Sequence, residues 1–308
     1  MKPIVLVGPG SDVIQAQRIM AQRRPELTFC RPEDAQAQQA QVAISWSPPA
    51  GSFAQLPELR LIHSVGAGAD RILAEPSRLP HIPVCRIVDP LHCQGMLEYV
   101  VWGVLHYHRH FDVCLRNQHH CVWDRQPQRA AQQTRVGVMG LGQLGKAVAQ
   151  GVAKMGFDTR GWSRSLQTVA GVQTYSAAQL APFLSALDIL ICLLPLTPDT
   201  QGILCRETFN QLSPGAAVIN CGRGGHLREG DVIEALHSGQ LRGALLDVFT
   251  HEPLPQDHPL WQTPGVTVTP HMASSASFEV IAEQILANID RLQAGLPLAN
   301  TVDTTLGY

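Results

Sequence analysis

The six residues Gly140–Gly145, with the sequence GLGQLG, constrain the fold of this 308-residue chain more than any other segment. They follow a short apolar run, RVGVM, and precede a segment, KAVAQGVAKMG, whose pattern predicts a helix. In a strand, turn and helix of this kind, Gly140 makes the tight turn and Gly142 lets the backbone approach a pyrophosphate, while Gly145 allows the helix to pack closely. The segment therefore predicts a dinucleotide-binding domain.

Apolar runs alternate with helix-compatible segments in two series along the chain. The first series fills roughly the first ninety residues, and the second begins again near Thr134. Strands interleaved with helices are typical of parallel sheets that are covered on both faces. Because 308 residues exceed what one core usually fills, we predict an α/β protein of two doubly wound parallel-sheet domains. These are a flavodoxin-like substrate domain and a Rossmann cofactor domain, with a cleft between them.

Two apolar-patterned segments set the predicted domain boundaries. A long helix over residues 95–116 is expected to link the domains, and an amphipathic helix over residues 277–294 ends at Gly295. Because the chain finishes soon after this last helix, we expect it to pack back on the first domain. The predicted substrate domain is therefore discontinuous, residues 1–96 with 276–308, and the predicted NADP-binding domain is residues 97–275.

Composition and charge favour a small molecule as the partner. A net charge of −2 gives no reason to expect a nucleic acid or an acidic membrane. The eight cysteines are scattered without a CxxC pair, and the first apolar run is too short for a signal peptide, so a cytoplasmic location with reduced thiols is expected. His106, His108 and His110 lie close together, but no further ligand accompanies them and no metal site is predicted.

The residues after the second predicted strand of the cofactor domain bear on the choice of nicotinamide cofactor. An acidic residue about 20 positions past the glycines would bind the ribose hydroxyls of NAD. Here Ser163 stands at this point and Arg164 follows it. A hydroxyl and a cation accept a 2′-phosphate, which an aspartate would repel. NADP(H) is therefore favoured, and NAD(H) stays possible if Arg164 is only a solvated turn residue.

Three apolar runs in the second half of the chain lead to Arg223, Glu252 and His271. The chain between them is long enough for crossover segments, and the carboxyl ends of parallel strands are where ligands bind in open α/β sheets. Each residue taken singly is compatible with a surface or packing role. Together, an arginine, a carboxylate and a histidine at one sheet edge are what the reduction of a 2-oxo acid requires.

Five separated motifs resemble those of the D-isomer-specific 2-hydroxyacid dehydrogenases. They are GLGQLG, LLPLTPDTQGIL (193–204), VINCGRGGHLREGDVIEAL (218–236), LLDVFTHEPLPQDHPLW (245–261) and VTVTPHMA (266–273). Within this family the chain is similar to the glyoxylate/hydroxypyruvate reductase A type. The segments that carry the narrower resemblance are AISWSPP (43–49), HSVGAGAD (63–70), GWSR (161–164) and RGGH (223–226).

The resemblance implies NADPH-dependent reduction of glyoxylate to glycolate and of hydroxypyruvate to D-glycerate. His271 would donate a proton to the substrate carbonyl, Glu252 would orient the imidazole, and Arg223 would hold the substrate carboxylate and polarise the carbonyl. Two alternatives stay open: an NAD-dependent dehydrogenase for a bulkier 2-oxo acid, and a dinucleotide-sensing interaction protein with little turnover.

The resemblance also implies further contacts and a homodimer formed through the linking helix. The substrate-binding residues would be Trp46, Gly66, Ala67, Gly68 and Arg223. The cofactor-binding residues would be Gly140, Leu141, Gly142, Gln143, Leu144, Gly145, Ser163, Arg164, Leu194, Pro195, Thr200, Cys221, Gly222, Asp247 and His271.

Overall fold

The structure is a computed structural model that describes residues 2–8 and 10–304. Residues 1, 9 and 305–308, which the predicted domain ranges include, lie outside the described residues. The chain divides into two compact units, residues 1–90 with 275–308 and residues 91–274. The strands of the first unit are β1 (Ile4–Val7), β2 (Phe29–Cys30), β3 (Val42–Ser45), β4 (Leu61–Ser64) and β5 (Val84–Cys85). Those of the second are β6 (Arg135–Met139), β7 (Asp158–Trp162), β8 (Gln173–Tyr175), β9 (Ile189–Cys192), β10 (Ala216–Asn220), β11 (Leu241–Leu246) and β12 (Val266–Val268).

Helices cover the sheets of both units. In chain order they are α1 (Ser11–Arg23), α2 (Asp70–Leu73), α3 (Pro90–His108), α4 (Phe111–His119), α5 (Gln143–Lys154), α6 (Leu180–Leu184), α7 (Arg206–Phe209), α8 (Glu229–Ser238) and α9 (Phe278–Gln293). Within the described residues, no helix has the length and apolar character needed to span a membrane.

The sheet of the first unit has the strand order β2-β1-β3-β4-β5, with every neighbouring pair parallel. This is the flavodoxin-like order of doubly wound folds. Strands β1, β3 and β4 are buried along their whole length, as strands covered by helices on both faces should be. One apolar cluster, which includes residues of α1 and α9, fills one face, and a second cluster fills the other.

The sheet of the second unit has the order β12-β11-β10-β9-β6-β7-β8, again with parallel neighbours. Counted from β6, six of these strands follow the classic dinucleotide-binding order, and β12 extends the sheet by one strand. The order reverses between β6 and β9, the point at which such sheets bind their ligands. The prediction of two parallel-sheet α/β domains is therefore confirmed.

One predicted helix differs from the observed helices. The single predicted helix over residues 95–116 is instead two helices, because His110 adopts a left-handed backbone with φ 58° between α3 and α4. Its imidazole accepts a hydrogen bond from Arg242 at 2.9 Å, which holds the break. The first compact unit ends at Pro90, where α3 starts, and the predicted domain ranges stay predictions.

Helix α9 belongs to the first unit and begins and ends as its sequence predicts. The Ser277 hydroxyl accepts a hydrogen bond from the Val280 N–H at 3.3 Å, which caps the amino end. Gly295 follows the last turn with φ 67°, the left-handed conformation that commonly terminates a helix.

Candidate active site

The glycine loop joins β6 to α5 at the reversal of strand order in the second unit. Gly140 has φ 98°, and a Cβ there would lie 2.7 Å from the Leu193 carbonyl oxygen at the end of β9. A Cβ at Gly145 would lie 1.7 Å from the Gly140 carbonyl oxygen, so both positions require glycine. A Cβ at Gly142, which precedes α5, would meet no protein atom within 4 Å. This open space at a helix amino end suits a phosphate group that approaches the backbone.

The end of β7 carries no carboxylate at the position that selects NAD. Ser163 is partly exposed, and its hydroxyl donates to the Ser165 carbonyl at 2.8 Å, which leaves the hydroxyl oxygen able to accept a further bond. Arg164 is exposed. The residues present therefore fit a 2′-phosphorylated dinucleotide better than an unphosphorylated one.

The loop after β9 is braced by Thr200. Its hydroxyl donates to the Pro195 carbonyl at 2.7 Å and accepts from the Thr197 N–H at 2.9 Å. Leu194 is buried, and so is Cys221 after β10, where burial raises the pKa of the thiol well above its ordinary value. The predicted cofactor contacts of these residues stay predictions.

Glu252 and His271 meet as the sequence predicts. The imidazole Nδ1 of His271 lies 3.0 Å from the Glu252 Oε2 atom. The other carboxylate oxygen of Glu252 accepts the Phe249 N–H at 3.0 Å, so the acid is held by its own loop. His271 follows β12 and has φ 53°, and its N–H donates to the Asp247 carbonyl at 2.9 Å. Because Nδ1 is engaged by Glu252, a proton exchanged with a ligand would have to pass through Nε2.

Arg223 lies in the loop after β10, and His226 fixes the start of that loop. The Arg223 N–H donates to the His226 Nδ1 atom at 3.0 Å, and the His226 Nε2–H donates to the Pro195 carbonyl at 3.2 Å. His226 is fully buried. The Arg223 guanidinium donates to the Gly222 carbonyl at 2.8 Å. His226 lies in the RGGH segment, where no role for it was predicted; a histidine three positions after the arginine is the signal that the sequence offers.

Gly224 brings the arginine loop against the loop that carries Glu252. A Cβ at Gly224 would lie 1.9 Å from the Phe249 carbonyl carbon, so only glycine allows this approach. Because Phe249 donates its N–H to Glu252, the approach places the Arg223 loop beside the Glu252 and His271 pair. The three predicted side chains therefore come from adjoining loops at one edge of the sheet.

Asp247 is buried and organises the segment around His271. One carboxylate oxygen accepts from the Thr269 hydroxyl at 2.6 Å and from the Met272 N–H at 2.8 Å, and the other accepts from the Ala273 N–H at 3.0 Å. The Thr269 hydroxyl also lies 2.6 Å from the Tyr99 hydroxyl. Asp247 thus has a positioning role that the sequence did not reveal, and its predicted contact with the cofactor stays a prediction.

The predicted substrate residues of the first unit form a turn beside Trp46. A Cβ at Gly66 would lie 2.1 Å from the Trp46 Cζ3 atom, so the indole ring lies directly on this glycine. The Ser64 hydroxyl donates to the Gly68 carbonyl at 2.8 Å and accepts the Gly66 N–H at 3.1 Å. Trp46 also packs against the apolar core of this unit, so it contributes to packing whether or not it touches a substrate.

The three clustered histidines have separate partners. His106 stacks on Trp102, His108 contacts the Thr134 hydroxyl at 3.0 Å, and His110 accepts from Arg242. Among the residues that the structure describes, no cluster of histidine, cysteine and acidic side chains has the arrangement of a metal site.

Comparison with known proteins identifies relatives over most of the chain. Residues 101–273 match the family model described as D-isomer specific 2-hydroxyacid dehydrogenase, NAD binding domain. The glyoxylate/hydroxypyruvate reductase A of Serratia proteamaculans (strain 568) is 41% identical over 295 residues, which is 94% of this chain and 94% of the relative.

Two solved structures of relatives hold a phosphorylated dinucleotide. A D-isomer specific 2-hydroxyacid dehydrogenase from Xanthobacter autotrophicus Py2, in complex with NADPH and MES, has a TM-score of 0.91 and 37% identity, covering 100% of this chain and 99% of that one. An NADPH-dependent glyoxylate/hydroxypyruvate reductase from Sinorhizobium meliloti, in complex with NADP and sulfate, has a TM-score of 0.90 and 35% identity over 100% of both chains.

Proposed function

Because this chain belongs to the D-isomer specific 2-hydroxyacid dehydrogenase family, we propose that it reduces glyoxylate to glycolate and hydroxypyruvate to D-glycerate with NADPH. The observation that carries the proposal is the 3.0 Å contact between His271 and Glu252 on loops that adjoin the Arg223 loop. The similarity to reductases of this type over both units supports the substrate class.

His271 is the proposed proton donor. Its Nδ1–H donates to the Glu252 carboxylate, which orients the ring and makes Nε2 the nitrogen proposed to exchange a proton with the substrate. In the reductive direction Nε2 gives its proton to the carbonyl oxygen, and in the reverse direction it takes the proton back.

Arg223 is the proposed electrostatic partner of the substrate. A guanidinium is permanently charged and planar, so it binds a carboxylate and polarises a neighbouring carbonyl oxygen. His226 and Gly222 hold the backbone and one nitrogen of Arg223 from within its own loop. This support limits the reorientation that substrate binding requires.

The glycine loop with Ser163 and Arg164 is the proposed binding site for NADP(H). When bound, NADPH supplies the hydride. The N–H groups at the start of α5 would bind the pyrophosphate, with Gly142 leaving room for it. Ser163 and Arg164 would bind the 2′-phosphate, and the NADPH and NADP complexes of two relatives support this preference.

One experiment tests the reaction class and the cofactor together. Oxidation of NADPH and of NADH is followed with glyoxylate, hydroxypyruvate and bulkier 2-oxo acids. We expect turnover of the two small acids with NADPH as the better donor. Arg164→Ala should raise the KM for NADPH about tenfold and leave the KM for NADH unchanged, because one charge-assisted contact to the phosphate is lost. An equal effect on both donors would contradict the 2′-phosphate assignment.

A homodimer and a cytoplasmic location complete the proposal. Trp102, Phe111 and Leu115 on α3 and α4 are 49%, 52% and 52% exposed, and such apolar groups on neighbouring helices suit an interface with a second copy. All eight cysteines are free thiols, as expected of a protein in a reducing compartment.

Sedimentation velocity tests the dimer and should give the mass of two chains. Leu115→Glu should reduce the measured mass, whereas the mass of one chain for the unaltered protein would contradict the dimer.

A further inference from the structure

Helix α3 contacts the segment around His271 on both sides of the histidine. The Tyr99 hydroxyl, on α3, lies 2.6 Å from the hydroxyl of Thr269, which stands two residues before His271. The hydroxyl of Ser274, three residues after His271, donates to the His92 carbonyl of the same helix at 2.7 Å. The histidine therefore lies in a segment that is attached to α3 at both ends.

The hydrogen bond between Tyr99 and Thr269 has a defined direction. The Thr269 hydroxyl has a single hydrogen, which it donates to the Asp247 side chain at 2.6 Å, because a carboxylate can only accept. Tyr99 is therefore the donor to the Thr269 oxygen. Burial raises the pKa of the Tyr99 phenol, so this donor keeps its hydrogen at neutral pH. A chain of two hydrogen bonds thus runs from Tyr99 through Thr269 to Asp247.

Asp247 connects this chain of hydrogen bonds to the backbone of His271. Its carboxylate accepts the N–H groups of Met272 and Ala273, the two residues after the histidine, at 2.8 Å and 3.0 Å. Its carbonyl accepts the His271 N–H at 2.9 Å. His271 has φ 53°, a left-handed conformation that a residue with a side chain keeps only when its surroundings hold it. A change in the direction of the carboxylate would therefore change the direction of the imidazole.

We infer that Tyr99 is a positioning residue for the proposed proton transfer, and that its hydroxyl fixes the His271 backbone through Thr269 and Asp247. This inference rests on the proposed function, in which His271 gives a proton to the substrate carbonyl. Tyr99 acts on the orientation of the proton donor rather than on the binding of the 2-oxo acid. Loss of its hydroxyl should therefore lower kcat and leave the KM for the acid nearly unchanged.

The test compares Tyr99→Phe with Tyr107→Phe, a change on the same helix that also removes only a hydroxyl. Tyr107 is buried, and its hydroxyl has no hydrogen-bond partner among the described residues. Tyr99→Phe should lower kcat with glyoxylate and with hydroxypyruvate by about 10- to 100-fold, because a small displacement of a catalytic group has an effect of this size. The KM for each acid should stay within about twofold. Tyr107→Phe should change neither constant.

A double-mutant cycle with His271→Gln separates positioning from a structural role. If Tyr99 acts through the imidazole, Tyr99→Phe should cause no further loss of kcat once His271→Gln has removed that group. A hydroxyl that only stabilised the fold, or that acted through the cofactor, would lower kcat by the same factor in both backgrounds.

An NMR measurement tests the same connection without turnover. In protein isotopically labelled at the histidine Cε1 atoms, the signal of His271 is the one that disappears in His271→Gln. This signal should shift or broaden in Tyr99→Phe and keep its position in Tyr107→Phe. If the unaltered protein reduces neither acid but the signal responds to Tyr99→Phe, the proposed function fails and the positioning of His271 by Tyr99 stands.

Three results would overturn the inference. The first is a kcat for Tyr99→Phe within about twofold of the unaltered protein, or a decrease that Tyr107→Phe reproduces. The second is an equal decrease in kcat when Tyr99→Phe is added to His271→Gln. The third is a His271 signal in Tyr99→Phe that is identical to that of the unaltered protein.

Discussion

The loops around His271 and the glycine turn around Ala67 differ in how far their polar groups are hydrogen-bonded to other protein groups. In the second unit, His271 is bonded to Glu252, Glu252 to the Phe249 N–H, and the Arg223 N–H to His226. In the first unit, the N–H groups of Ala67 and Gly68 have no partner among the described residues. The proposed proton donor is fixed by the protein, whereas the turn predicted to bind the substrate leaves two N–H groups available to a ligand.

The difference follows from what each role requires. A proton donor works only when its ring already points correctly, so its second nitrogen is held by another group. A binding donor that was satisfied by the protein would have to break a bond before it could accept a ligand, and this would reduce affinity. The unpaired donors of the turn cost stability in the unliganded protein, which is acceptable because both residues are partly exposed to water.

Replacement of His271 should have the largest effect on activity. His271→Gln removes the proton donor but keeps a side chain of similar size. We expect kcat with hydroxypyruvate to fall by about a thousandfold, within the range for a lost acid catalyst, while the Kd for NADPH is little changed. Steady-state kinetics and a fluorescence titration of NADPH measure the two quantities.

The matched control is His258→Gln, because His258 also pairs with an acid, Glu229, at 3.2 Å. It should keep nearly full activity. Comparable losses of activity in the two variants, or normal turnover by His271→Gln, would contradict the assignment of His271 as the proton donor.

Titration of His63 should have a smaller effect, on the stability of the folded chain. It lies on β4 and is fully buried; Nδ1–H donates to the Ser64 carbonyl at 2.8 Å and Nε2 accepts from the Asn288 amide at 3.0 Å. Burial lowers the pKa of His63 to about 4 from its ordinary 6.5. The turn that follows Ser64 is therefore supported by a neutral imidazole.

Between about pH 6.5 and about pH 4 the unfolded chain binds a proton at His63 that the folded chain does not. The free energy of unfolding should therefore decrease as the pH is lowered through this window, and part of that dependence should disappear in His63→Gln. Urea unfolding at several pH values measures it, with exposed His237→Gln as the control. Equal pH dependence in His63→Gln and the unaltered protein would show that His63 is protonated in the folded state.

Features that depend on a strand end and its following loop were predictable from the sequence. The glycine loop, both sheets and the Glu252 and His271 pair were all foreseen, because strand ends in a parallel sheet meet at one edge. The NADP(H) preference rested on Ser163 and Arg164, which stand where an acid would select NAD.

The unforeseen features depend on approaches between distant segments. Gly224 is required by the backbone of Phe249, and nothing near it in sequence signals that contact. The break at His110 depends on a side chain of β11, Arg242, which lies far along the chain.

The most direct test of the account is the product formed from hydroxypyruvate by the unaltered protein. With NADPH in slight excess, one D-glycerate should form for each NADPH oxidised, as measured by chiral chromatography, and kcat/KM should be higher with NADPH than with NADH. No oxidation of NADPH, formation of L-glycerate, or a preference for NADH would contradict it.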